Sequence, residues 1–100
     1  MSSDRVREIR LQTAHDLEAR GHVDKAVELY VRAGSPGDAA RLLVANERYL
    51  EAGKVMLDAL GVAPDEVGTL EGRMRAAAEK AARCFELGGD PEMASRLRRS

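Results

Sequence analysis

Three side chains are of the types most often used in catalysis or metal binding. They are His15, His22 and Cys84, the only histidines and the only cysteine of the sequence. The histidines lie seven positions apart on either side of Gly21, with no third histidine or cysteine close to them. Zinc sites gather three or four such ligands, so we expect no metal site. Cys84 precedes Phe85 in an apolar segment and is expected to be a buried, inert thiol, because a nucleophilic cysteine needs a neighbouring base.

The remaining polar residues form no catalytic pattern. The glycines stand at the ends of segments and not in a glycine-rich phosphate loop. Carboxylates are spread beside arginines at helical surface spacing, and Glu79 and Arg83, four positions apart, are expected to form a solvated ion pair. We therefore expect a protein that is not an enzyme and that has no catalytic residue, metal or cofactor.

Length and charge exclude further classes. The chain has 100 residues, which is enough for one domain, 1–100. Its formal net charge is −1, whereas nucleic-acid binding draws its affinity from a surplus of positive charge. A single cysteine fits a reducing compartment, and no apolar run approaches the roughly 18 residues of a membrane span. We expect a cytoplasmic protein whose partner is neither nucleic acid nor membrane.

Apolar residues recur every three or four positions through most of the chain, and the alternation typical of strands is absent. Alanine and leucine, which favour helices, dominate the apolar residues. Ser35-Pro36 and Asp90-Pro91 are typical helix starts, a capping residue followed by proline. Residues 61–69 are predicted to be a loop in which Pro64-Asp65-Glu66 forms one short helical turn. The sequence thus predicts an all-α protein of about six helices. Their core stripes are Val6, Ile9, Thr13, Ala14 and Leu17; Val23, Ala26, Val27, Tyr30 and Ala33; Ala39, Ala40, Leu42, Leu43 and Val44; Tyr49, Ala52, Val55, Met56, Ala59 and Leu60; Met74, Ala77, Ala78, Ala81, Ala82, Cys84 and Phe85; and Met93, Ala94 and Leu97.

The turns between these helices repeat. Gly21 and Gly34 are 13 residues apart, Glu47 stands a further 13 residues on, and Gly89 marks a fourth turn. An alanine follows five positions after each of them, at Ala26, Ala39, Ala52 and Ala94. Turns this short require neighbouring helices to run antiparallel, and a small residue just inside each turn lets the two helices approach closely.

In this pattern the chain resembles the tetratricopeptide repeat family, whose unit pairs a helix A with a helix B. The family marks are a small and a large apolar residue on helix A, a glycine-type turn, and alanine, an aromatic residue and alanine on helix B. The residues that match are Ala14, Leu17, Gly21, Ala26, Tyr30 and Ala33 in the first unit; Ala40, Leu43, Glu47, Ala52, Met56 and Ala59 in the second; and Ala82, Phe85, Gly89 and Ala94 in the third. The resemblance implies a right-handed stack of three helix hairpins, about 4–34, 35–61 and 69–100.

The resemblance also implies a function, because helix A lines the binding groove in that family. The groove positions carried over are Glu8, Leu11, His15 and Glu18; Gly37, Arg41 and Val44; and Ala76, Glu79, Arg83 and Glu86. Of these, His15, Arg41 and Arg83 are predicted to meet acidic groups of a partner protein or peptide, and Leu11 and Val44 to add apolar contact.

A structural role remains open beside the interaction role. The last helix is short, and its stripe of Met93, Ala94 and Leu97 could pack on a second copy or on a further repeat. The alternative function is therefore a structural or oligomerisation module, either by itself or as the N-terminal part of a longer helical-repeat array.

Overall fold

The computed structural model describes residues 3–99, which form helices joined by short connections. No strand occurs within that range, so the predicted all-α class is confirmed. The elements in chain order are α1 (Ser3–Ala19), α2 (Val23–Arg32), α3 (Pro36–Ala45), α4 (Tyr49–Leu60), a 3-10 helix (Pro64–Thr69), α5 (Gly72–Leu87) and α6 (Pro91–Arg99).

The four repeated turns share one backbone geometry. Their marker residues have positive φ angles, 82° at Gly21, 74° at Gly34, 59° at Glu47 and 92° at Gly89. In each turn the next residue donates a hydrogen bond to the carbonyl five positions before it, the closing bond of a Schellman motif. These bonds are His22 to Leu17 (2.9 Å), Ser35 to Tyr30 (2.8 Å), Arg48 to Leu43 (2.9 Å) and Asp90 to Phe85 (2.8 Å). The turn repeat predicted from the sequence is therefore present in the backbone.

Helices that follow one another in the chain pack side by side. The alanines just inside the turns are buried, Ala26, Ala39 and Ala52 completely and Ala94 to 99%, as predicted for points of close approach. At the first hairpin Nε of Arg7, near the start of α1, donates a 2.9 Å hydrogen bond to the carbonyl of Ala33, just after α2. The start of one helix thus lies beside the end of the next, as an antiparallel pair requires.

The core consists of three adjoining clusters in a molecule of about 42 × 29 × 17 Å. One cluster, around Tyr30, joins α1, α2 and α3. A middle cluster, around Leu43 and Cys84, joins α3, α4 and α5. The third, around Phe85 and Leu97, joins the end of α4, the 3-10 helix, α5 and α6. Cys84 is buried, as predicted, and burial raises the pKa of its thiol.

The predicted core stripe of α1 is wrong at two positions. Ile9 is 52% exposed and Thr13 is exposed, its hydroxyl donating to the Ile9 carbonyl. The reason is that α1 packs mainly against α2, so the described neighbours cover only the narrow face that includes Ala14.

The short helical turn predicted at Pro64-Asp65-Glu66 is present and extends further than predicted, because Pro64–Thr69 form a 3-10 helix that places the fully buried Val67 in the third cluster. Asp65 is also held there by an ion pair of 3.3 Å with Arg96 of α6. Met74, predicted as core, is 45% exposed, because it lies in the first turn of α5, beside an open cleft.

The two predicted helix starts differ in their capping. Asp90 accepts a hydrogen bond of 3.1 Å from the backbone N–H of Met93, as an N-cap residue should. Ser35 stands at the N-cap of α3, but its hydroxyl donates to the Asp38 carboxylate at 2.6 Å and does not accept from the backbone.

Candidate functional site

A cleft of about 600 Å³ lies between α3, the end of α4 and the first half of α5. The residues that line it are Pro36, Gly37, Arg41 and Val44 of α3; Met56, Ala59 and Leu60 of α4; and Arg73, Met74, Ala77 and Lys80 of α5.

Helix packing explains where this cleft opens. α4 and α5 come closest near Gly53 and Gly88, where a Cβ atom would lie 3.1 Å from the Phe85 ring and 2.7 Å from Leu50. Toward the opposite ends of the two helices the chain leaves α4 at Leu60 and enters α5 at Gly72 through the 3-10 helix. The space between α3 and α5 at that end is the cleft.

The lining combines an apolar floor with a cationic rim. Valine, leucine, methionine and alanine side chains form the floor, and the three charged residues are Arg41, Arg73 and Lys80. The lining contains no carboxylate, imidazole, hydroxyl or thiol side chain. Within residues 3–99, the side chains of Arg73 and Lys80 make no hydrogen bond or ion pair. The cleft is therefore suited to binding apolar and anionic groups.

Arg41, by contrast, belongs to a hydrogen-bond network that joins three helices. Its two terminal nitrogens donate to the carboxylate of Glu18 in α1 at 2.9 and 3.1 Å. The same carboxylate accepts a 2.8 Å hydrogen bond from the hydroxyl of Tyr30 in α2. Nδ1 of His15 lies 2.7 Å from that hydroxyl, and the rings of His15 and Tyr30 meet edge to face. The network connects the cleft rim to the first core cluster.

The network fixes proton positions. A phenol has one proton, and an ionised carboxylate can only accept, so Tyr30 donates to Glu18 and accepts from Nδ1–H of His15. Hydrogen bonds from Arg41 and then from Tyr30 lower the pKa of Glu18. Burial, followed by the hydrogen bond to Glu18, raises the pKa of Tyr30 to about 12. The Glu18 contact also raises the pKa of the Arg41 guanidinium.

Only two of the five predicted partner-binding residues, Arg41 and Val44, line the cleft. His15 is joined to Arg41 only through Tyr30 and Glu18. Leu11, predicted to offer apolar contact, packs partly buried against the first core cluster, because it lies one helical turn before the fully buried Ala14.

The third-unit positions face elsewhere. Arg83 is exposed on α5 but does not line the cleft. Glu79 and Glu86 pair with Arg98 of α6 at 3.0 and 2.6 Å, so the predicted local pairing of Glu79 with Arg83 is replaced by a tertiary one. The face of α5 carried over from the family thus adjoins α6, and a different face lines the cleft.

Among the cleft residues that sequence reasoning missed are Arg73, Met74 and Lys80 of α5. Two of them carry a periodic signal, because Arg73, Ala77 and Lys80 follow the i, i+4, i+7 spacing of one helix face. That helix face lies next to the core stripe of α5. Nothing in the sequence distinguishes it from the partly apolar faces beside the core stripes of the other helices. This face of α5 lines a cleft only because α3 forms the opposite wall.

No family model matches the sequence, and neither a curated protein nor a solved structure matches it. Within the part of the chain that the structure describes, no three histidine, cysteine, aspartate or glutamate side chains are grouped so that they could hold a metal ion. In the same range, no helix combines the length and the apolar character needed to cross a membrane.

Proposed function

We propose that this chain is a non-catalytic protein-interaction module, and that the cleft between α3, α4 and α5 is its docking surface. The observation that carries this proposal is the lining: an apolar floor open to solvent, with the cations Arg73 and Lys80 unpaired among the described residues. A contiguous exposed apolar surface in a small protein is characteristic of an interaction site. The absence of catalytic side chains from the lining supports binding in preference to catalysis.

The tetratricopeptide-like pattern is part of the same proposal. The repeated turns and the buried alanines after them support three stacked hairpins, with α3 and α5 as neighbouring A helices. The docking surface would then lie on the A-helix side, where Arg41 and Val44 were predicted, and extend across α5 through residues that the pattern did not single out.

Photo-crosslinking in the native cell tests the proposal. A photoreactive phenylalanine analogue is placed at Met74 in the cleft or at Val31 outside it, two positions that are 45% and 47% exposed. We expect Met74 to yield a discrete adduct with one other protein and Val31 to yield none. Equal labelling from both positions, or no adduct at Met74, would overturn the assignment. An adduct between two copies of this chain would instead establish the alternative, an oligomerisation module.

A further inference from the structure

We propose that the occupant of the cleft is an acidic amphipathic helix, held by Arg73 and Lys80 of α5 and not by Arg41. This inference rests on the proposed function and deepens it by naming the chemistry of the partner. Three observations carry it: the pairing state of the cations, the length of the cleft, and the composition of its floor.

The cations of the cleft are not equivalent. Both terminal nitrogens of Arg41 already donate to Glu18, and its Nε lies 3.6 Å from the Asp38 carboxylate. An incoming carboxylate would have to displace these bonds. Arg73 and Lys80 have no such counter-charge among the described residues, and no acidic residue lines the cleft. A complementary partner therefore brings the negative charge and places it along α5.

The length of each wall of the cleft, measured along its helix, matches two turns of a partner helix. Arg73 and Lys80 are seven residues apart on α5, as are Gly37 and Val44 on α3. At a rise of 1.5 Å per residue, each pair spans about 10 Å. Apolar anchors at positions i, i+3 and i+7 of a partner helix span the same distance, which is how amphipathic helices enter hydrophobic grooves. Acidic residues beside the first and last anchors would reach Arg73 and Lys80.

The floor favours a helix over nucleic acid. The apolar side chains of the lining include Val44, Met56, Leu60 and Met74, and methionine adapts its shape to irregular apolar surfaces. Single-stranded nucleic acid is bound by aromatic side chains on which bases stack, and the lining contains no aromatic residue. An apolar floor would also leave sugars and phosphates without partners.

A displayed peptide library tests this occupant without knowledge of the natural partner. The library consists of helical peptides with leucine fixed at i, i+3 and i+7 and with glutamate, glutamine or lysine at the flanking positions. It is selected on the wild-type protein, on a cleft variant with Arg73→Glu and Lys80→Glu, and on a control variant with Arg83→Glu and Lys25→Glu. The control makes the same change in net charge at two exposed residues outside the cleft. Circular dichroism verifies that both variants keep their helices.

We expect the wild-type protein and the control variant to enrich glutamate over lysine, and the cleft variant to lose or invert that preference. In direct titration, a selected acidic peptide should bind the cleft variant at least about tenfold more weakly, a loss of about 1.4 kcal/mol. No enrichment of any peptide, or the same glutamate preference in the cleft variant, would overturn the inference. Enrichment of leucine-bearing peptides without a charge preference would also overturn it while leaving the proposed function intact, since that function is decided separately by the Met74 crosslink.

Discussion

The hydroxyl of Tyr30 donates a 2.8 Å hydrogen bond to the carboxylate of Glu18, which links the second helix to the first from inside the core. Tyr30 is completely buried, so its polar atom needs such a partner. Because Glu18 also accepts two hydrogen bonds from Arg41, the interaction continues to the third helix and to the rim of the cleft. Helix hairpins one and two are thus joined by a specific polar contact as well as by apolar packing.

The first prediction concerns alkaline pH. The pKa of Tyr30 rises from 10.0 to about 12 in the folded protein, with burial as the largest cause. Between these values the unfolded chain has released the phenolic proton and the folded chain retains it, so the folded state binds more protons. The contribution of Tyr30 to the free energy of unfolding should therefore be independent of pH below pH 10 and fall above it, by at most about 1.4 kcal/mol per pH unit.

Urea unfolding from pH 8 to 12 measures this dependence, with Tyr30→Phe as the comparison. The variant should lose about 1–2 kcal/mol at neutral pH, because Glu18 and His15 each lose a hydrogen-bond partner. It should also lack the part of the alkaline decline that Tyr30 contributes. Identical alkaline slopes for the two proteins would contradict the prediction.

The second prediction concerns the Glu18 carboxyl. Its pKa lies below the ordinary value of 4.5, chiefly because of the hydrogen bonds from Arg41. A lowered pKa gives stability that is fully present above pH 4.5 and is lost as the pH falls through the folded-state value. Removing the cation with Arg41→Gln should raise the pKa of Glu18 and move this loss to higher pH.

Carbon-13 NMR of the Glu18 carboxyl, titrated from neutral to acid pH, reports that pKa directly. The matched control is Lys80→Gln, which removes a positive charge from the same cleft without touching Glu18. An unchanged Glu18 titration in Arg41→Gln, or an equal shift in both variants, would show that the bidentate contact does not set the pKa.

The third prediction concerns Glu47, which occupies the left-handed turn position where the other three repeated turns have glycine. Its φ of 59° is unfavourable for a residue with a Cβ atom, and its side chain is exposed. Glu47→Gly should therefore increase the free energy of unfolding by about 0.5–1 kcal/mol. The reverse change, Gly34→Ala, should cost about 1–2 kcal/mol although a Cβ there would meet no atom within 4 Å. Chemical denaturation measures both, and a destabilised Glu47→Gly would contradict the account.

The turns were predictable from the sequence because their requirement is local. A positive φ favours glycine whatever surrounds it, and an alanine five positions on permits close packing, so Gly21, Gly34 and Gly89 could be recognised singly. Glu47 was recognised only through the 13-residue repeat. The ends of the helices could be predicted from the same turn residues.

The cleft was only half predictable because it depends on which helix covers which face. Periodicity identifies the apolar stripe of each helix, but it does not identify the helix that packs on that stripe. Ile9 and Met74 were therefore predicted to be buried, whereas both are exposed. Arg41 and Val44 were predicted as binding residues because helix A lines the groove in the family that the sequence resembles, and both residues line the cleft. The pairing of Arg41 with Glu18, 23 residues away, is a tertiary contact without a sequence signal.

The last prediction concerns Gly88, the residue that caps the C-terminal end of α5. Its φ of −82° is open to any residue, so the need for glycine does not come from the backbone. The need is steric, because a Cβ at this position would lie 2.7 Å from Cγ of Leu50 and 2.9 Å from its backbone nitrogen. Gly88→Ala must therefore push the start of α4 away from the end of α5, at a cost of about 1–3 kcal/mol.

Two comparisons separate the steric cause from a general effect of alanine. Gly37→Ala, in α3, meets no atom within 4 Å and should be neutral or stabilising by up to about 1 kcal/mol, since alanine favours helices. Adding Leu50→Ala to Gly88→Ala should recover only part of the loss, because the side-chain contact is relieved and the backbone nitrogen still blocks the Cβ atom. Full recovery would place the constraint in the Leu50 side chain alone. No destabilisation by Gly88→Ala would show that α4 and α5 are not held together at this point.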